Sequence, residues 1–292
     1  MNNNSQNLKP EPEQNINQAE RSQPVRREDF YIFKKFRKKL WTPFINAVKQ
    51  YKLIEPHDKI AVCISGGKDS MLMAKLIQSL NKYSDFEFEI INLCMNPGYN
   101  EANLNKIKFN AELLDIKLNI FESNIFDVAN QVIKSPCYLC ARMRRGHLYN
   151  KARELGCNKI ALGHHLNDVI ETVLMSMFYG AQLQCMPPKL HSTNFESMQL
   201  IRPLYCVKED DIIAWRNYNN LEFLQCACKF TENVADGHLN SKRFEIKNLL
   251  KDLRKINPDI ERNIFKAVHA VNIDTFPAYK TRGGVKSFLD EF

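Results

Sequence analysis

Apolar residues return at helical spacing from Asp29 to Lys52, where Phe30, Phe33, Leu40, Phe44, Ile45 and Val48 make one candidate inner face. The period then changes. A short, β-rich apolar run over Lys59–Ile64 stops at Ser65-Gly66-Gly67, and a helical pattern opens at once over Ser70–Leu80. Strand and helix patterns keep alternating after that. Phe86–Leu93 reads as a strand, Met95–Tyr99 as a loop and Glu101–Leu114 as a helix. Lys117–Phe121 is a strand, followed by a short helix ending near Ile133. Leu139–Leu155 is helical, Lys159–Leu162 extended and Asp168–Tyr179 helical. Repeated βα units predict an α/β fold, a parallel doubly wound sheet covered on both faces with ligands at the carboxyl ends of its strands.

Beyond Gly180 the rhythm weakens. Met186-Pro187-Pro188-Lys189 is a rigid turn, Leu200–Leu204 a short extended piece, and Leu221–Leu224 is strand-like. Helices are predicted at Glu209–Tyr218, Ser241–Lys255 and Pro258–Val271; Lys280–Phe292 carries little signal. In the second of these helices Ile246, Leu249, Leu250 and Leu253 face inward. Arg243, Lys247, Lys251 and Arg254 form a cationic stripe, either solvated or phosphate-facing. The chain therefore divides into a disordered polar tail (1–28), a basic helical segment (29–57), a nucleotide-binding α/β domain (58–190) and a mainly helical region (191–292).

Composition narrows the class. Hydrophobic content of 44% with 25% charged residues suits a globular protein with a full core. No apolar run approaches the ~20 residues that span a bilayer, and the N-terminus lacks the apolar core of a secretory signal, so a cytoplasmic protein without membrane partners is expected. The formal net charge of +8 favours a polyanionic partner such as RNA. Within Lys34-Lys35-Phe36-Arg37-Lys38-Lys39, the cations are either a solvated face or an arm that tracks phosphates; Lys34, Lys35 and Arg37 are its candidate RNA contacts. Nine cysteines, an odd number without an export signal, argue against a disulfide framework. Cys63, Cys94 and Cys157 lie in or beside strand-like runs and read as core residues.

The turn Ser65-Gly66-Gly67-Lys68-Asp69-Ser70 is built for phosphate. Two glycines let the backbone approach a ligand, the following helix adds the partial positive charge of its N-terminus, Lys68 supplies a cation, and Ser65 and Ser70 supply hydroxyls. The spacing is not that of a Walker loop. It closely resembles the PP-loop of enzymes that split ATP into AMP and pyrophosphate, which implies ATP and Mg²⁺ as ligands of this turn. Asp69 either orients Lys68 or a magnesium-bound water, or caps the helix. Gly163-His164-His165 lies at another strand end, where a histidine contacts the nucleotide or only satisfies a turn. Asp168 is a helix cap or a contact to Mg²⁺ or ribose.

A second centre is sulfur-rich. Cys137-Tyr138-Leu139-Cys140 opens a helix, which puts both sulfurs on one side of the first turn beside Arg142, Arg144 and Arg145. One or two of these arginines are candidates for RNA phosphate or the adenylate. Gln225-Cys226-Ala227-Cys228 adds one or two more sulfurs. Three or four converging thiolates hold zinc or an iron–sulfur cluster, and the short Cys226-x-Cys228 spacing favours the cluster.

Taken jointly, these motifs resemble the tRNA 2-thiocytidine synthetases. The likeness runs from about Phe33 to His269 through Ser65–Ser70, the Cys137/Cys140 pair with its arginines and Lys159–His165. It includes Met177–Gly180, Met186–Leu190 and Ile201–Leu204. The resemblance implies a PP-loop (adenine nucleotide alpha-hydrolase-like) fold with helical N- and C-terminal extensions. It implies an ATP-dependent, iron–sulfur-dependent enzyme that adenylates a pyrimidine O2, at cytidine 32 of tRNA, and replaces it with sulfur. By position, Cys137, Cys140 and Cys226 would ligate a [4Fe–4S] cluster, with Cys228 as alternative third or fourth ligand. The partners implied are tRNA and a cysteine desulfurase as sulfur donor, with a homodimer compatible. Lys68, Asp69 and Asp168 are the catalytic candidates. Ser65–Ser70 with Gly163, His164 and His165 are the ATP-binding ones. Three features depart from the family: Cys226-Ala227-Cys228 in place of Cys-x-x-Cys, Asn167-Asp168 in place of two acids, and the loop Asn96–Asn100. Such departures mark a divergent branch with another target base as an alternative. Rival readings are a thiouridine or lysidine synthetase, or a non-catalytic RNA-binding protein stabilised by zinc.

Overall fold

Every residue from Ile60 to Ile64 is buried, so this strand sits where both faces of a sheet are covered. The computed structural model, which describes residues 31–123, 125, 136–224 and 242–291, places it near the middle of a six-stranded sheet. The strands are β1 (Lys59–Ile64), β2 (Glu89–Asn96), β3 (Leu118–Glu122), β4 (Lys159–Ala161), β5 (Lys189–His191) and β6 (Gln199–Ile201), in the order β3-β2-β1-β4-β6-β5. All pairings are parallel except the edge pair β5–β6. Period-2 alternation sorts β1 between the layers. Ile60, Val62 and Ile64 join Phe44, Leu72, Leu76, Ile212 and Trp215 on one side, while Ala61 and Cys63 join Tyr149, Ala152 and Ile160 on the other.

The helices are α1 (Thr42–Gln50), α2 (Lys68–Tyr83), α3 (Glu101–Leu113), α4 (Pro136–Glu154), α5 (Leu166–Gly180), α6 (Glu209–Tyr218), α7 (Lys242–Ile256) and α8 (Ile260–Ala267). A small hairpin, β7 (Ala278–Thr281) and β8 (Gly284–Ser287), follows. Helix α7 lays Ile246 and Leu250 against Leu166, Ile170 and Leu174 of α5, a third apolar cluster. The chain steps from β1 through β2 to β3 on one side and enters β4 on the other. The crevice between β1 and β4 is therefore the switch point where ligands bind. Among the described residues no helix is long and apolar enough to cross a membrane.

Several expected boundaries move. The predicted helix Asp29–Lys52 is a π-helical turn at Arg37–Trp41 followed by α1, because Pro43 lacks an N–H and suits only a helix start. Its buried face carries Ile32 and Phe36, whereas Phe33 and Ile45 are only half-buried. Strand β2 runs on through Met95 and Asn96, and the turn begins where Asn96 Oδ1 accepts from the N–H groups of Gly98 and Tyr99. Leu249 lies at the surface rather than inside. The polar tail 1–28, Phe30, the short helix ending near Ile133, and Cys226 and Cys228 lie outside the described residues, as do the side chains of Cys137 and Cys140.

Candidate active site

The turn after β1 is locked from several sides. Gly66 has φ +84°, and a Cβ there would lie 2.6 Å from Ile107 Cγ1, so only glycine fits. Its carbonyl accepts from Leu224 N at 3.2 Å. Ser70 is buried, and its hydroxyl accepts from Ser65 N (3.1 Å) and donates to Gly67 O (3.0 Å). Ser70 thus braces the turn from within, while Ser65, exposed at the tip, donates its hydroxyl back to Ser70 Oγ at 3.1 Å. Gly163 makes a close approach to the same helix start: a Cβ on it would sit 3.1 Å from Ser70 N and 3.3 Å from Asp69 C.

Lys68 heads α2, and its Nζ lies 3.1 Å from Asp69 Oδ2 and 3.1 Å from Glu209 Oε1. Asp69 therefore orients Lys68, while the N-cap position belongs to Gly67. Its other oxygen, Oδ1, is buried without a hydrogen bond, 3.9 Å from His165 Nε2. His165 caps α5 in a reciprocal box: its Nδ1 accepts from Asp168 N, and Asp168 Oδ2 accepts from His165 N at 3.0 Å. Asp168 Oδ1 lies 3.6 Å from Arg243. His164 Nδ1 is buried and unpartnered. Burial outweighs the attraction of Asp168 and pulls its pKa down to about 4, leaving the ring neutral at pH 7. Asn167, where the family pattern has an acid, accepts from Glu209 N (2.9 Å) and donates to Glu261 Oε1 (2.9 Å). A carboxylate there could not donate to Glu261.

Beneath these groups lies a charge network with no motif of its own. Glu171 is 2% exposed and faces Arg243 Nε at 3.0 Å and Lys247 Nζ at 3.7 Å. Lys247 also reaches Glu209 Oε2 at 3.2 Å, and Arg254 pairs with Asp210 (3.1 Å) and Glu261. Arg243, Lys247 and Arg254 of the expected stripe thus reach carboxylates, while Arg243 and Lys247 stay exposed along with Lys251, so the stripe is solvated and paired at once. Glu209, Glu171 and Asn167 escape a reading of spacing because their partners come from α2, α5, α6, α7 and α8, far apart in sequence. The acidic first turn Glu209-Asp210-Asp211 was the only local signal.

The remaining candidates divide. Arg144 is half-buried, with Nη2 3.4 Å from Tyr99 Oη, while Arg142 and Arg145 are exposed. Lys34, Lys35 and Arg37 are exposed, with Lys35 Nζ 3.5 Å over the Tyr218 ring. Arg202 ties two motifs together, its N–H donating to Pro188 O (2.9 Å) and its guanidinium to Pro187 O.

Two implied groups can be tested against these residues. For Mg²⁺, the unpartnered buried Asp69 Oδ1 is a hard oxygen ligand beside the turn, and fits. For an iron–sulfur cluster, α4 begins at Pro136, so Cys137 and Cys140 occupy its first turn, three residues apart. In a βαβ crossover that turn lies at the carboxyl edge, like the PP-loop. The other described cysteines offer no competition, since burial raises the thiols of Cys94, Cys157 and Cys206 to about 11 and those of Cys63 and Cys185 upward as well. Two thiol-bearing positions one helical turn apart fit part of a thiolate-held cluster.

The PP-loop domain family matches residues 36–231. The tRNA-cytidine(32) 2-sulfurtransferase of Aliivibrio fischeri (strain MJ11) is 36% identical over 258 residues, 84% of this chain and 81% of that protein. The enzyme of the same name from Neisseria meningitidis serogroup C is 36% identical over 232 residues (77% and 70%), and that of Vibrio cholerae serotype O1 34% over 256 residues (86% and 79%). Among solved structures, the U34-tRNA thiolase NcsA from Methanococcus maripaludis with its [4Fe-4S] cluster superposes with a TM-score of 0.60 at 21% identity. That likeness covers 78% of this chain and 76% of the other, and shows the shared α/β fold. With its phosphate turn, strand-end histidines and switch-point crevice in the arrangement described, the chain belongs to the PP-loop family, among the tRNA-cytidine(32) 2-sulfurtransferases.

Proposed function

We propose that this chain is an ATP-dependent tRNA sulfurtransferase that adenylates O2 of a pyrimidine, cytidine 32 of tRNA, and replaces that oxygen with sulfur. The observation that carries the reading is Leu224 N donating to Gly66 O. It ties the segment that leads into Cys226 to the PP-loop itself, and two peptide steps span at most ~7 Å. That tie supports the proposal that sulfur ligands and nucleotide turn share one crevice.

In the first step the base O2 attacks the α-phosphorus of ATP and pyrophosphate leaves. The N–H groups of the Gly66–Lys68 turn and the N-terminus of α2 hold the departing phosphates, and Lys68 neutralises their charge. Asp69 would hold Mg²⁺ through Oδ1, which adds charge stabilisation at the same oxygens. Neutral His164 offers Nδ1 to the nucleotide. Asp168 acts through His165, holding it against α5. In the second step sulfur bonds to C2 and AMP leaves with the original oxygen. Cys137, Cys140 and Cys226, with Cys228 the alternative, would hold a [4Fe–4S] cluster; when bound, it supplies an iron position free of protein ligands for the incoming sulfur. Arg142, Arg144, Arg145, Lys34, Lys35 and Arg37 are assigned to tRNA phosphates. A cysteine desulfurase as sulfur source, a homodimer and a cytoplasmic setting complete the proposal.

The test is spectroscopic and chemical together. Lys68→Ala abolishes conversion of ATP to AMP yet keeps the visible absorption of the anaerobically reconstituted protein. Cys137→Ala, Cys140→Ala and Cys226→Ala each lose that absorption, and Cys228→Ala keeps it. Bleaching by Cys228→Ala would replace the three-ligand centre with a four-cysteine one. Stoichiometric zinc without iron or labile sulfide would overturn the enzyme reading in favour of an RNA-binding protein.

A further inference from the structure

Glu209 faces two ways. Its Oε1 lies 3.1 Å from Lys68 Nζ and 3.9 Å from His165 Nε2, and its Oε2 lies 3.2 Å from Lys247 Nζ on α7. Its own N–H donates to Asn167 Oδ1 at 2.9 Å, so backbone and side chain are both fixed to the strand-end side of the crevice. Burial alone would raise its pKa, but Lys68, His165 and Lys247 pull it down to about 2 and keep it charged. A lysine on a flexible stem samples many rotamers unless something holds its head. Lys68 is held by Asp69 from its own helix and by Glu209 from α6.

We infer that Glu209 is a positioning residue for Lys68 and the link between the PP-loop and helix α7. The inference rests on the reading of the turn as the site where ATP is split. A phosphate that engages Lys68 releases Glu209 Oε1, leaving Lys247 and His165 as the partners of the carboxylate. The pull on Lys247 strengthens, and α7 is held more tightly against α5. Aiming of the catalytic cation and docking of the C-terminal helical region are two ends of one carboxylate.

The test uses the full-length, anaerobically reconstituted protein with tRNA, sulfide and Mg-ATP. Glu209→Gln keeps the shape and removes the charge. It lowers kcat for AMP formation by about tenfold or more, as misplacement of a catalytic group does, with KM for ATP changed less than about threefold. Glu209→Asp recovers part of the loss. The second readout is amide exchange across Lys242–Ile256 with α,β-methylene-ATP as probe: it slows in the wild type and not in Glu209→Gln. Should Glu209→Gln fail to fold, Lys247→Met is used, and it too loses the exchange response. A wild-type kcat in Glu209→Gln, an unaltered response in either variant, or no response in the wild type overturns the assignment. A wild-type protein that forms no AMP at all defeats the ATP-splitting reading instead.

Discussion

Gly163 and Gly146 show how differently two glycines serve the same chain. Gly163 presses the end of β4 onto backbone atoms at the start of α2, which Ser70 braces, so those atoms cannot retreat. Gly163→Ala therefore costs about 1–3 kcal/mol in urea denaturation and weakens ATP binding. Gly146 lies inside α4 with open space where a Cβ would go, and Gly146→Ala stabilises by about 0.5–1 kcal/mol in the same assay. Buried carboxylates give a second contrast, this time in pH. Burial raises Glu171 from 4.5 to about 7 against the pull of Lys247 and Arg243, so the folded chain binds more protons than the unfolded one over that window. Its contribution is lost as pH rises from 4.5 to 7, and Glu171→Gln flattens that decline in thermal stability. Glu209, lowered from 4.5 to about 2, works in the opposite direction. Its contribution is full above pH 4.5 and lost as pH falls toward 2. Glu209→Gln therefore lowers stability at pH 7, on the order of 1–2 kcal/mol after allowance for solvent screening, and converges with wild type in strong acid.

Among the elements, α7 carries the clearest packing prediction. Leu250 is 3% exposed against Leu166, Ile170 and Leu174, whereas Leu249 is 36% exposed. Leu250→Ala costs about 2–4 kcal/mol and Leu249→Ala less than about 0.5, measured as urea midpoints with an unchanged slope. The pattern along the chain predicted that this helix exists and that Ile246 and Leu250 point inward. It misjudged Leu249, because an apolar stripe drawn from periodicity is wider than the strip α5 covers. The strands of the βα units were legible for the same reason that they are buried: continuous apolar runs fit only the middle of a covered sheet. Strand β2 ran past its predicted end because an asparagine turn, not the last aliphatic residue, stops it. The π-helical turn at Arg37–Trp41 and the β7–β8 hairpin had no comparable signal, one being a local adjustment ahead of Pro43 and the other a surface element with little apolar content.

For the molecule as a whole, one edge of one sheet gathers the chemistry. The PP-loop leaves β1, the histidine turn leaves β4, and the first turn of α4 with Cys137 and Cys140 starts on the same side. Short motifs made this visible in advance, since each carries its own backbone requirement. The charges that tune the site were not visible. Glu209, Asn167, Arg243 and Lys247 act through partners brought together only by folding. These parts serve tRNA thiolation jointly. The most direct measurement is mass spectrometry of nucleosides from tRNA incubated with the reconstituted protein, Mg-ATP and sulfide, alongside AMP quantification. The predicted result is 2-thiocytidine at position 32, formed with AMP and absent with Lys68→Ala or Cys137→Ala. Unmodified cytidine 32, or sulfur placed on another nucleoside, would contradict it.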